Sequence, residues 1–182
     1  MGLVLPVSHS GSMVSVQLKP TFKCLILDRD GVIIRDVDHL TKIEQVEILP
    51  GAADRIAAVN LMGIPVVVAS NQSVVGRGLC TNEDVQAVNT YIATELAKMG
   101  AFIDFFVWCP HTPEDNCYCR KPKPGLLYRI ANKLKLDLRE CLMIGDAVTD
   151  KKAAIACRCP FVMVGKGGLA EWDLSTGKTR DR

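Results

Sequence analysis

Five short apolar runs, spaced by segments of helical pattern, constrain this chain more than any other feature. They are "KCLILD" (23–28), "IPVVVAS" (64–70), "FIDFFVWC" (102–109), "ECLMIGD" (140–146) and "PFVMVG" (160–165). Between them, residues 52–63, 81–100, 125–136 and 149–157 carry helical spacing. Gly63 and Gly100 stand where two of these helices end, and Thr81 with Asp84 three residues on marks a helix start. Strands that are apolar throughout have both faces covered, and strands joined by helices run parallel. The expected fold is α/β: a three-layer, Rossmann-like parallel sheet with helices on both faces.

A length of 182 residues suits one domain with its own core. Residues 1–20 contain Pro6 within a short apolar stretch and no Lys or Arg before it, a poor signal peptide. They are expected to form a loose leader, 21–168 the domain and 169–182 a C-terminal tail, whose last stretch "STGKTRDR" (175–182) is polar and expected to fray. No apolar run reaches the roughly 20 residues a membrane span needs. Net charge is +2, so no global field draws the chain to nucleic acid. The chain is expected to be a cytoplasmic monomer, with no membrane or nucleic-acid partner. Its eight cysteines are expected to be reduced thiols, because the composition supports a core without a disulfide framework.

Parallel sheets bind ligands at the carboxyl ends of their strands. The residues there are "DRDG", "SNQS", "CPH" and "GDAVTD". Asp28 and Asp30, two apart in extended chain, can face one pocket, one as nucleophile and the other as general acid then base. Taken alone, they read more simply as solvated acids before the turn glycine, Gly31. Ser70, Asn71 and Gln72 carry groups that suit phosphate oxygens, although such residues are common at turns. Asp146 suits Mg²⁺, which typically takes one or two protein carboxylates. It can equally cap the next helix, and Asp150 can support the metal site or sit in that helix's first turn. Lys121, flanked by Arg120 and Lys123, can neutralise a nucleophile and a phosphate together.

Cys109, His111, Cys117 and Cys119 fall within eleven residues. Three cysteines and a histidine are a set that holds tetrahedral structural zinc. Four protein ligands leave no position for water or substrate. The metal is therefore expected to fold a loop that has no core of its own and to present Arg120 and Lys121 at the site.

A carboxylate nucleophile, a hydroxyl, a lysine and a metal carboxylate arrive in that order at successive strand ends. Over residues 23 to 165 this resembles the haloacid dehalogenase (HAD) superfamily of phosphohydrolases. The resemblance implies that Asp28 becomes an aspartyl phosphate and that Asp30 protonates the leaving alcohol and then activates water. It also implies that Asp28, the Asp30 carbonyl and Asp146 hold Mg²⁺, and that Ser70 and Lys121 bind the transferring phosphoryl group. "DRDGVI", "SNQSVVGRG", "CPH…CYCRKPKPG" and "GDAVTD" resemble the group of heptose 1,7-bisphosphate and histidinol-phosphate phosphatases. The substrate implied is a small phosphorylated metabolite, either D-glycero-D-manno-heptose 1,7-bisphosphate cut at the 7-phosphate or histidinol phosphate. Arg120 is expected to serve a phosphate that is retained. The chain departs from the group's pattern at Ile34, at Ala147 and along "RDVDHL", all on the side of substrate recognition. Too few residues separate the first two strands for a sizeable cap domain. A zinc-loop nucleic-acid binder is the non-enzymatic alternative, and it leaves the other strand-end motifs unexplained.

Overall fold

The computed structural model describes residues 21–179. Its main sheet has five parallel strands: β1 (Cys24–Leu27), β2 (Val66–Asn71), β3 (Phe105–Cys109), β4 (Cys141–Gly145) and β5 (Phe161–Met163). Their order across the sheet is β3-β2-β1-β4-β5. Four helices connect them: α1 (Ala52–Asn60), α2 (Asn82–Lys98), α3 (Gly125–Leu134) and α4 (Val148–Ala156). All five expected strands and all four expected helices are present.

Side chains alternate across a strand, and the two faces of β1 show the result. Leu25 and Leu27 join Ile56 and Val59 of α1 and Val88, Ile92 and Leu96 of α2 in one core. Cys24 and Ile26 join Leu126 and Ile130 of α3 and Ala153 and Ala154 of α4 in the other. α2 begins as its sequence predicts. Thr81 Oγ1 accepts from the Asp84 N–H at 3.1 Å, and Asp84 Oδ2 accepts from the Thr81 N–H at 2.8 Å.

The chain builds outward from β1 through β2 to β3, then crosses back to lay β4 on the other edge of β1. That reversal opens a crevice at the carboxyl ends of β1 and β4, the place where open α/β sheets bind ligands. The register sets Leu27 opposite both Val68 and Ile144, so the polar residues that follow emerge at one level.

Between β1 and α1 the chain forms a tight loop with one short 3₁₀ turn, Ile43–Gln45, and no cap domain. At the other end, Leu169 and Trp172 are fully buried against α1 and the β1 core. The short strands β6 (Trp172–Asp173) and β7 (Lys178–Thr179) pair antiparallel. Burial of these apolar side chains anchors the start of the C-terminal tail, ahead of the polar stretch from Ser175. The leader expected over residues 1–20 lies outside the described residues. Among the described residues, no helix is long and apolar enough to cross a membrane.

Candidate active site

Asp28 follows β1 directly, and its N–H donates to the Ile144 carbonyl of β4 at 2.9 Å. Its carboxyl is nearly buried, and Oδ1 accepts from the Arg29 N–H at 2.7 Å. Burial pushes the Asp28 carboxyl up to about 7; Lys121 opposes this, and Asp150 and Asp30 add to it. An anionic Asp28 therefore calls for positive charge close by.

Lys121 supplies one such charge. Its ammonium lies 2.9 Å from Asp28 Oδ1 and 2.6 Å from Asp150 Oδ1, and it donates to the Ala69 carbonyl at 2.8 Å. Burial works against its charge, but the two carboxylates outweigh burial and raise its pKa. Asp150, in the first turn of α4, also accepts from the Ala147 N–H through Oδ2 at 3.1 Å. It is the first-turn acid that its sequence position allowed, and it also pairs with Lys121. Gly145 has no side chain because a Cβ there would collide with Asp150.

Asp146 follows β4 and faces Asp28 across the crevice. Burial, then Asp150, raises its pKa. Gly31 turns the chain under it with a φ of 74°, and a Cβ at Gly31 would collide with the Asp146 carboxylate. Asp28, Asp146 and Asp150 each bring a carboxylate oxygen within 4.8 Å of the others. Lys121 pairs with both Asp28 and Asp150, but Asp150 is fully buried behind it, whereas Asp28 and Asp146 line the pocket and are the pair that could meet a hard cation there. Two carboxylates with room for water and phosphate fit Mg²⁺.

Asp30 lies at the same pocket. Its Oδ2 is 3.4 Å from Ser70 Oγ and accepts from Gln72 Nε2 at 3.0 Å, and Gln72 Nε2 also donates to Ser70 Oγ at 2.7 Å. Arg29, to which the sequence assigned no role, donates to both Asp30 oxygens. Asn71 lines the pocket too, but its side-chain amide is engaged by the backbone of Lys121. Its Nδ2 donates to the Lys121 carbonyl and its Oδ1 accepts from the Lys121 N–H, each at 3.0 Å. It fixes the backbone that carries the lysine.

The pocket has a volume of about 400 Å³. Asp28, Asp30, Ser70, Lys121 and Asp146 form its floor, and Asp36, Asp38 and His39 lie along its rim. Arg120 is not among the lining residues; its guanidinium donates to the His111 carbonyl at 3.1 Å.

Beside the pocket, β3 ends in Cys109, buried at the base of the 110–124 loop. Its Sγ is 3.5 Å from His111 Nδ1, 3.5 Å from Cys117 Sγ and 3.2 Å from Cys119 Sγ. Cys119 Sγ lies 3.5 Å from Cys117 Sγ and 3.3 Å from His111 Nδ1. The three cysteines and the histidine bring their ligand atoms within 4.8 Å of one another, and the thiols are free. A zinc tetrahedron with sulfur at 2.3 Å has edges of about 3.7 Å. The four ligand atoms fit that ion with a small expansion. A zinc held there would be structural, because four protein ligands leave no open position.

Most of the chain aligns with known proteins. A D-glycero-beta-D-manno-heptose-1,7-bisphosphate 7-phosphatase of Pseudomonas putida is 38% identical over 156 residues, covering 85% of this chain and 89% of the relative. A D-glycero-alpha-D-manno-heptose-1,7-bisphosphate 7-phosphatase of Mycobacterium tuberculosis is 36% identical, covering 81% and 84%. The crystal structure of D,D-heptose 1,7-bisphosphate phosphatase from B. bronchiseptica, complexed with magnesium and phosphate, superposes with a TM-score of 0.76 at 36% identity. It covers 87% of this chain and 91% of that one. The profile of the haloacid dehalogenase-like hydrolases matches residues 23–158, from the strand that carries Asp28 to the end of α4, and the chain belongs to that family.

Proposed function

We propose that this chain is a Mg²⁺-dependent phosphatase that removes the 7-phosphate of D-glycero-D-manno-heptose 1,7-bisphosphate through an aspartyl phosphate on Asp28. The observation that carries the reaction is the buried Lys121 ammonium, 2.9 Å from Asp28 Oδ1 at the floor of the β1–β4 crevice. A cation held there neutralises the nucleophile and the arriving phosphate together. The substrate rests on the likeness, along almost the full chain, to heptose bisphosphate phosphatases.

Asp28 attacks phosphorus as the bond to the sugar oxygen breaks, and Asp30 delivers its proton to that oxygen. Asp30 then takes a proton from the water that attacks the phosphorus on Asp28, releasing inorganic phosphate and restoring both acids. Ser70 Oγ and Lys121 hold the phosphoryl oxygens between these steps. Asp28, Asp146 and the Asp30 carbonyl would hold the magnesium, which supplies charge neutralisation to the phosphoryl oxygens when bound. Phosphoryl transfer asks a protein mainly for such placement and charge.

The experiment that tests this is kcat/KM for both anomers of the heptose bisphosphate, histidinol phosphate and fructose 1,6-bisphosphate. One heptose anomer is expected to lead the panel. A clear preference for histidinol phosphate, whose amine the acidic rim at Asp36 and Asp38 would suit, would overturn the substrate and leave the reaction standing.

A further inference from the structure

Arg29 is a buried charge that the chemistry above leaves without a task. Its side chain is 1% exposed, although the residue lies along the pocket, and its guanidinium is engaged by other protein side chains. Three side chains from different parts of the fold share its guanidinium. Nε donates to Asp30 Oδ2 at 3.1 Å. One terminal nitrogen donates to Asp30 Oδ1 at 3.2 Å and to Gln72 Oε1 at 2.8 Å. The other donates to Asn89 Oδ1, in the middle of α2, at 3.1 Å.

Arginine has donors and no acceptor. Gln72 must therefore turn its oxygen toward Arg29, which sends its Nε2 to Asp30 Oδ2 and Ser70 Oγ. Asn89 must likewise turn its oxygen inward. A single guanidinium thus sets the rotation of the Asp30 carboxylate and the polarity of two buried amides. A carboxylate left to itself turns freely, because the final torsion of aspartate is broad.

We infer that Arg29 is a positioning residue: with Gln72 and Asn89, it holds the Asp30 carboxylate in the orientation that exchanges protons with the leaving oxygen and the attacking water. The inference rests on the role proposed for Asp30. Proton transfer needs the acid within hydrogen-bond reach of its partner. Misplacement by about 1 Å can slow a reaction about 10²-fold. Lysine keeps the charge but offers no planar fork, so it reproduces the position only in part.

The test uses the zinc- and magnesium-loaded protein and two esters. An alkyl phosphate has a leaving group that needs a proton, whereas nitrophenol departs without one. Arg29→Met should lower kcat on the alkyl ester about 10²-fold with KM within about threefold. Its single-turnover release of nitrophenol should stay within a few-fold of the parent. Arg29→Lys should fall between Arg29→Met and the parent. Asn89→Leu, which touches neither Asp30 nor substrate, should show the same pattern at about tenfold, and it keeps the test open if Arg29→Met does not fold. Equal losses on both esters, or a loss confined to KM, would overturn the positioning role. Asp30→Asn run alongside separates the possible failures. If it too spares the alkyl ester, the role of Asp30 is wrong; if it is impaired while the Arg29 and Asn89 variants are not, only the positioning role is wrong.

Discussion

Asp150 Oδ1 lies 2.6 Å from the Lys121 ammonium, and both side chains are essentially shut off from solvent. A buried ion pair adds little over a packed apolar pair, but removing one partner strands the other, at roughly 3–5 kcal/mol. Asp150→Asn keeps the shape and removes the charge. Lys121 retains Asp28, so the expected loss is at the low end, about 3 kcal/mol. Urea unfolding should show a lower midpoint with an unchanged slope. An unshifted midpoint would mean that Asp28 alone satisfies the lysine.

Asp28→Asn should abolish turnover, because an amide is not a usable nucleophile. Asp30→Asn should slow the reaction by about 10²–10⁴-fold. Its magnesium affinity should change little, since the ligand expected from that residue is its backbone carbonyl. Steady-state kinetics with a magnesium titration checks both. Near-normal activity in Asp28→Asn would rule out an aspartyl phosphate at that residue.

Elemental analysis should find about one zinc per chain. Cys117→Ser should lose it and loosen the 110–124 loop, raising hydrogen exchange there. Asn71 binds that loop's Lys121 on both sides of its backbone, so activity should fall as well. A zinc-free variant with unchanged kinetics would contradict the scaffolding role.

Arg120→Ala separates two uses of this side chain. One guanidinium contact goes to the His111 carbonyl. If the remaining donors serve the retained phosphate, KM should rise more for a bisphosphate than for a monophosphate. Equal effects on both would assign Arg120 to the zinc loop alone.

The nine elements of the α/β layers were legible because burial on two faces leaves continuous apolar runs, and helix ends carry local signals such as Thr81 with Asp84. Leu169 and Trp172 were missed because their short apolar segment has no strand or helix periodicity, and their burial depends on contacts with α1 and the β1 core. Arg29 was hidden between the two acids of "DRDG", which drew the chemical reading to themselves. Asn89 did leave a trace: it shares the helical stripe of Val85, Val88, Ile92 and Leu96, where an amide must find a partner. The hold of Asn71 on the Lys121 backbone was not legible, since the same amide suits a phosphate as well. Adjacency to Lys121 suggested that Arg120 would share its direction; the fold sends one inward to Asp28 and the other to a loop carbonyl.

The strand order β3-β2-β1-β4-β5 has a consequence for how the protein is made. β1 leaves the ribosome first among the strands yet occupies the centre of the sheet. Half of its hydrogen-bonding edge waits for β2, and the other half waits for residues 141–145. Until then the strand that leads into Asp28 is an open edge, able to pair with a neighbouring nascent chain. Asp28, Lys121 and Asp150 are drawn together only when the last of these segments docks. Recovered hydrolysis during refolding would therefore report late assembly of the whole sheet, with no partial signal from the half that contains β1, β2 and β3.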